Sequence, residues 1–430
     1  MKTKNIQHWI LAALFITVAS CKPEIDAPKA SSGSADFSKY IAVGNSLTAG
    51  FADGGLYLNG QKVAYPNLIA AQMKAFGGGD FTSPFFTEAQ ANGSGYIRLS
   101  GFNPDGTPIT AQVTDKLAYR AQGLLTKYTE EIQNLGIPGM RLDLGAAAPT
   151  FSSANMYFER LLADNQVGAT TYLNFVQNRN HTFFSFWLGN NDVLGWAMNG
   201  GVTELGQASA TTTLTSTTNF TGAYNAFIGA LTAQGQKGVV ATIPDVTAVP
   251  FFNTVTVAAI NEGLAANPQL QQLGLTKLYI QSGTGVARLA TNEDLIVLNF
   301  NRALLGVNGY GVSPLNPMEN KYVLDKDETV TAKQRVIDFN NIIKTVAETK
   351  DLALVDTYTI LNGIKTPANY DGILVSSAFI TGNAFSLDGI HLTPIGNAVI
   401  ANEFIKAINT KYNSNIPTVA VSMYSGVRFP

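Results

Sequence analysis

Five short apolar runs, each followed by a longer amphipathic or loop stretch, constrain this chain more than any other feature. They are KYIAVG (39–44), IQNLGI (132–137), HTFFSFWLG (181–189), GVVATIP (238–244) and LALVDT (352–357). Several are apolar without alternation, as a strand is when both of its faces are buried. Helical spacing marks 65–76, 153–164, 219–234, 331–349 and 394–411. In the last of these, Thr393 stands at the cap position and Pro394 at the first helical position. Strands alternating with helices predict an α/β fold with a parallel sheet covered by helices. Two stretches exceed what such a sheet needs: 77–127, rich in Gly and Phe, and 246–318. Both are read as insertions into one domain spanning 37–412, followed by a tail at 413–430.

The N-terminus points to export. Lys2 and Lys4 precede WILAALFITVA (9–19), too short for a comfortable membrane span and suited to a signal-peptide core. It ends at TVASC, and Cys21 is the only cysteine in the chain. Small residues before a cysteine resemble the lipobox of bacterial lipoproteins. That resemblance implies loss of residues 1–20 and lipidation of Cys21. The Lys-then-acidic order that follows is similar to the surface-export signals of Bacteroidetes lipoproteins. Residues 21–36, rich in Pro, Ser and Ala, read as a flexible tether. The expected place is therefore the cell envelope, on the outer membrane through a lipid on Cys21, periplasmic or surface-exposed. A lone cysteine leaves no intramolecular disulfide. With 13% charged residues and a net charge of −2, the chain offers no basic field for nucleic acid.

The chemistry-bearing residues lie at strand ends, where open α/β sheets hold their ligands. Ser46 follows the first run in GNSLTAG, and Gly136 and Gly139 follow the second in NLGIPGMR. The third run leads into WLGNNDVLG, and LDGIHLTPIGN precedes the last helix. A serine needs a base, a group that orients the base, and an oxyanion site. Of three histidines, His8 falls in the signal and His181 precedes its strand, at the sheet end opposite Ser46. His391 is left as the base, with Asp388 three residues before it and able to reach the imidazole within a turn.

GNSL, GIPG, GNND and DGIH, in this order, resemble the blocks of the GDSL esterases, also called SGNH hydrolases, over about residues 40–407. The resemblance implies a flavodoxin-like three-layer α/β/α sandwich. It also implies Ser46 as nucleophile and Asp388 and His391 as its partners. The oxyanion hole would comprise the N–H groups of Ser46 and Gly139, with Gly136 as the alternative, and the side-chain amide of Asn191. Asn45 stands where the family has an Asp, a position outside the triad. The expected activity is hydrolysis of carboxylic esters, with an acetylated polysaccharide as substrate and no cofactor. Alternatives are cleavage of longer acyl chains from lipids and a non-catalytic surface-binding role. GNND beside DGIH is also similar to metal-dependent phosphoesterases, but those need several histidines or clustered carboxylates, so no metal is expected.

Overall fold

Both faces of the first strand are closed to water: all five residues of β1 (Tyr40–Gly44) are buried, as are all five of β2 (Phe183–Trp187). β3 (Lys237–Ala241) and β4 (Ala353–Val355) complete a sheet of order β1-β2-β3-β4, parallel throughout. The computed structural model describes residues 29–104, 106–201 and 211–430. The apolar segment 9–19 and Cys21 lie outside them. Gly44 sits opposite Trp187, Phe186 opposite Val240, and Ala241 opposite Val355, so all four strands end at one edge.

Helices α1 (Ser46–Ala49) and α2 (Tyr65–Met73) follow β1; α3 (Leu142–Ala147) and α4 (Tyr172–Gln177) precede β2. Next come α5 (Asn191–Met198), α6 (Thr217–Leu231), α7 (Lys326–Thr349) and α8 (Pro394–Tyr412). α8 packs on α2 and across β3 and β4; α6 packs on α3, α4 and α7, and α7 meets β3 and β4. Two helical layers thus enclose the sheet, the α/β/α sandwich expected. Aromatic rings fill it: Phe183, Phe184, Phe186 and Trp187 are fully buried, and Phe220 of α6 stacks on Phe339 of α7 at 3.7 Å. α8 begins as its sequence predicts, with the Thr393 hydroxyl accepting from Gly396 N–H at 3.0 Å.

The first insertion carries an antiparallel hairpin, Tyr96–Phe102 with Pro108–Val113; the second carries the helix Val257–Ala266 and the pair Tyr279–Gln281 and Ala287–Leu289. Phe86, Phe251 and Phe252 are buried, so most of these rings serve packing.

Three expectations are corrected. Residues 132–137 run beside β1 and exchange hydrogen bonds with Ala42 and Gly44, yet make only one bridge, Ala42 with Asn134. The Tyr172 hydroxyl takes the place of the next rung, accepting from Gly44 N–H at 3.1 Å and donating to Leu135 O at 2.8 Å, while the Asn134 side chain bonds to Thr48 O and Gly136 N–H. The helix expected over 153–164 is broken into Phe151–Ala154 and Met156–Glu159 by Asn155, which is extended and caps the second piece through Tyr157 and Phe158 N–H. The tether ends earlier than residue 36. Ser31 exchanges bonds with Asn415, and Ser34 N–H donates to Tyr412 O at 2.8 Å, so the packed unit begins at Ser31. The stretch 413–430 is also packed in part, with Ile416, Val419 and Val421 buried.

Candidate active site

Each candidate side chain is set by an element ending or beginning at the C-terminal edge of the sheet. β1 ends at Gly44, Asn45 caps α1 by accepting Leu47 N–H, and Ser46 opens the helix, its side chain nearly buried. An Asp at position 45 would accept the same bond. The segment before α8 carries Asp388 and His391. His391 Nε2 lies 2.9 Å from Ser46 Oγ, and Nδ1 lies 2.8 Å from Asp388 Oδ2. Ser46, His391 and Asp388, separated by up to 345 positions, are thus one chain of hydrogen bonds. The Phe51 ring covers His391 at 4.7 Å between centroids.

Burial works against charge on Asp388, but more acts for it. The imidazole of His391 and the N–H groups of His391 and Ile390, both 2.9 Å from Oδ1, hold the carboxyl well below the usual carboxylate range. Gly54 N–H and the Ser386 hydroxyl add two further donors, at 2.9 and 3.1 Å. His181 stands apart, at the start of β2, with its ring nitrogens against the carbonyls of Arg179 and Leu231.

The two glycines of the second block do different work. Gly136 N–H is taken by Asn134 Oδ1, and a Cβ there would come within 2.4 Å of Ala49 N, so this glycine lets the backbone lie against α1. Gly139 has φ +77°, a left-handed conformation that glycine enters without penalty. Among the described residues neither Gly139 N–H nor Ser46 N–H is taken by a protein acceptor. Asn155 Nδ2 donates to Pro138 O at 2.8 Å and so fixes the peptide that carries Gly139 N–H. Asn191 Nδ2 donates to Met140 O at 2.9 Å, which leaves its second hydrogen for another acceptor.

Behind this loop lies a polar cluster that sequence reasoning missed. Asp192 is buried and accepts from Leu142 and Asp143 N–H, at 2.7 and 3.2 Å, capping α3 from another helix. Burial and then the charge of Asp143 push its carboxyl up to about 7, against the pull of Arg141. The buried Arg141 guanidinium grips Asp143 with two bonds, at 2.9 and 2.8 Å, and donates to Thr213 O at 2.7 Å. Asp192 and Arg141 both stood inside the quoted blocks, but no spacing rule joins positions so far apart in the chain. Since removing one partner leaves a buried charge unpaired, Arg141→Ala is expected to cost about 3–5 kcal/mol of stability. A urea denaturation curve measures it, and a loss below about 1 kcal/mol would contradict it.

Two cavities open beside Ser46 and His391. One, of about 40 Å³, is walled by Trp187, Leu194, Val246, Val249, Leu361 and Phe385. The other is an open cleft of about 550 Å³ whose walls include Phe51, Leu124, Gly139, Asn155, Tyr157 and Met198.

Comparison with known proteins adds the following. No curated protein matches the chain. Among solved structures, LAE5, an alpha/beta hydrolase enzyme from the metagenome of Lake Arreo, Spain, is similar at a TM-score of 0.37 and 13% identity, covering 87% of this chain and 96% of its own. Axe2, an acetylxylan esterase from Geobacillus stearothermophilus, is similar at 0.36 and 11%, covering 88% and 98%. The family model of the GDSL-like lipase/acylhydrolases matches residues 40–404, from the first residue of β1 into α8. The chain belongs to that family, and it is an ester hydrolase.

Proposed function

We propose that the chain is a serine esterase that removes short acyl groups, acetyl above all, from carbohydrate hydroxyls. Ser46 Oγ attacks the ester carbonyl while His391 Nε2 takes its proton and then delivers it to the leaving alcohol. Asp388 holds Nδ1–H and so keeps Nε2 free to accept. The N–H groups of Ser46 and Gly139 and the free hydrogen of Asn191 Nδ2 receive the oxyanion. Water then cleaves the acyl-enzyme by the same steps in reverse order. Asn191→Ala is expected to lower kcat about a hundredfold, or roughly 3 kcal/mol of transition-state stabilisation. Steady-state kinetics on p-nitrophenyl acetate test this, and an unchanged kcat would remove Asn191 from the oxyanion site.

The small cavity carries the reading. A cavity needs about 10–15 Å³ to hold one water, so 40 Å³ takes an acetyl group and little more. The open cleft is of the size that holds a ligand of several rings or sugar units, and it mixes aromatic walls with Ser153 and Asn155. A low-charge, hydroxyl-rich surface also suits a neutral glycan. Leu124, Met156 and Met198 in the same cleft favour a second reading, in which it takes a longer acyl chain.

Hydrolysis of p-nitrophenyl acetate, butyrate and octanoate decides between them. The expected result is kcat/KM at least tenfold higher for acetate than for octanoate, with acetate released from acetylated oligosaccharides. Faster octanoate cleavage would establish the second reading. No hydrolysis of any ester would leave a binding role.

We also propose that the protein is held in the cell envelope by a lipid on Cys21. Cys21→Ser should move it from the membrane to the soluble fraction, and an unchanged distribution would refute the anchor.

A further inference from the structure

Asp53 is an unexpected residue for its position. It has φ +54°, in the left-handed region that glycine enters freely and other residues at a cost, and Gly54 and Gly55 follow it. Its carboxyl is half-buried, and burial, helped by the charge of nearby Asp388, pushes its pKa up against the hydrogen bonds it accepts. A glycine here would lift both penalties. A strained, half-buried acid next to a reacting centre raises the question of what it holds in place.

Two of its bonds lead to one loop. Asp53 N–H donates to Ser386 Oγ at 2.9 Å, and Asp53 Oδ1 accepts Leu387 N–H at 2.9 Å. Ser386 Oγ in turn donates to Asp388 Oδ1 at 3.1 Å, and Gly54 N–H donates to Asp388 Oδ2 at 2.9 Å. Residues 53 and 54 thereby clamp the three consecutive residues that end in Asp388. Tyr57 O–H donates to Asp53 Oδ2 at 2.7 Å and holds the clamp from behind.

We infer that Asp53 is a positioning residue for ester hydrolysis: by fixing residues 386–388 it keeps the Asp388 carboxylate on His391 Nδ1. The inference rests on the proposed roles of Ser46, His391 and Asp388. Asp53 itself touches none of the reacting atoms. It acts through Leu387 and Ser386.

The backbone conformation supplies a clean pair of variants. Asp53→Gly fits φ +54° and removes the carboxyl; Asp53→Asn also tolerates that conformation and keeps an oxygen for Leu387 N–H. Each is assayed on p-nitrophenyl acetate, with thermal melting and the downfield proton resonance of His391 Nδ1–H recorded beside it. The expected result for Asp53→Gly is a kcat at least tenfold lower, a KM within twofold of wild type, and loss of the downfield resonance. Asp53→Asn should keep at least half of kcat and the resonance. A glycine variant with kcat within twofold of wild type, or an Asn variant as slow as it, overturns the inference. Should Asp53→Gly fail to fold, Tyr57→Phe decides, with kcat two- to fivefold lower expected and an unchanged kcat counting against the clamp. Ser46→Ala run in parallel separates the two levels. If it stays active, the proposed triad falls; if it is inactive while Asp53→Gly is fully active, only the clamp does.

Discussion

Ser46→Ala is expected to lower kcat/KM for p-nitrophenyl acetate by at least about a thousandfold, with the folded state intact. The hydroxyl sits 2.9 Å from His391 Nε2, at the junction of the small cavity and the open cleft. Removing it leaves the oxyanion donors and the binding walls, which account for whatever rate remains. Groups that act as a unit are non-additive, so Ser46→Ala with His391→Ala should be little slower than Ser46→Ala alone. Hydrolysis that survives Ser46→Ala and disappears with a chelator would instead point to a metal-dependent phosphoesterase-like site. Side-chain alanine at this place also tests folding gently, because α1 is capped by Asn45 and not by Ser46.

Asp388→Asn should cost about ten-thousandfold in kcat at neutral pH. The substituted amide presents an N–H to His391 Nδ1, which moves the imidazole hydrogen to Nε2 and leaves no acceptor for the serine proton. The same variant has a signature in stability. The folded carboxyl of Asp388 titrates below its unfolded value, so the wild type's advantage is complete above the unfolded pKa of about 3.9 and is lost as pH falls through the folded one. Urea midpoints of wild type and Asp388→Asn should therefore converge as the pH is lowered from about 4. A gap that stays constant into acid would mean that the carboxylate's environment does not favour charge.

Much of the frame was legible because burial leaves a mark on composition. β1, β2 and β3 read as mainly apolar runs without alternation since both of their faces are covered. Residues 132–137 read the same way but form no strand, because the Tyr172 hydroxyl stands between Gly44 N–H and Leu135 O. α7 starts five residues before its expected N-terminus: Asp325 and Glu328 make a capping box, and the first turn is polar enough to hide the helical period. Ser46 stood out as a polar residue at a strand end, and Asp388 and His391 in the loop before the last helix. Asn155, Arg141 and Asp53 did not, because the contacts that tie them to the site, to Pro138 O, Thr213 O and Leu387 N–H, cross the fold with no signal in local spacing.

The chain enters its packed unit among the starts of the strands. Ser34 O accepts from Lys237 at the head of β3, and Thr182, just ahead of β2, donates to Asp36 O. Ser46 lies at the other end of the same sheet, a full strand length away along β1. Residue 31 thus joins the packed unit at one end of the sheet, and the cleft beside Ser46 opens at the other. A bulky polymer entering the cleft therefore meets the serine without crossing the segment 31–36.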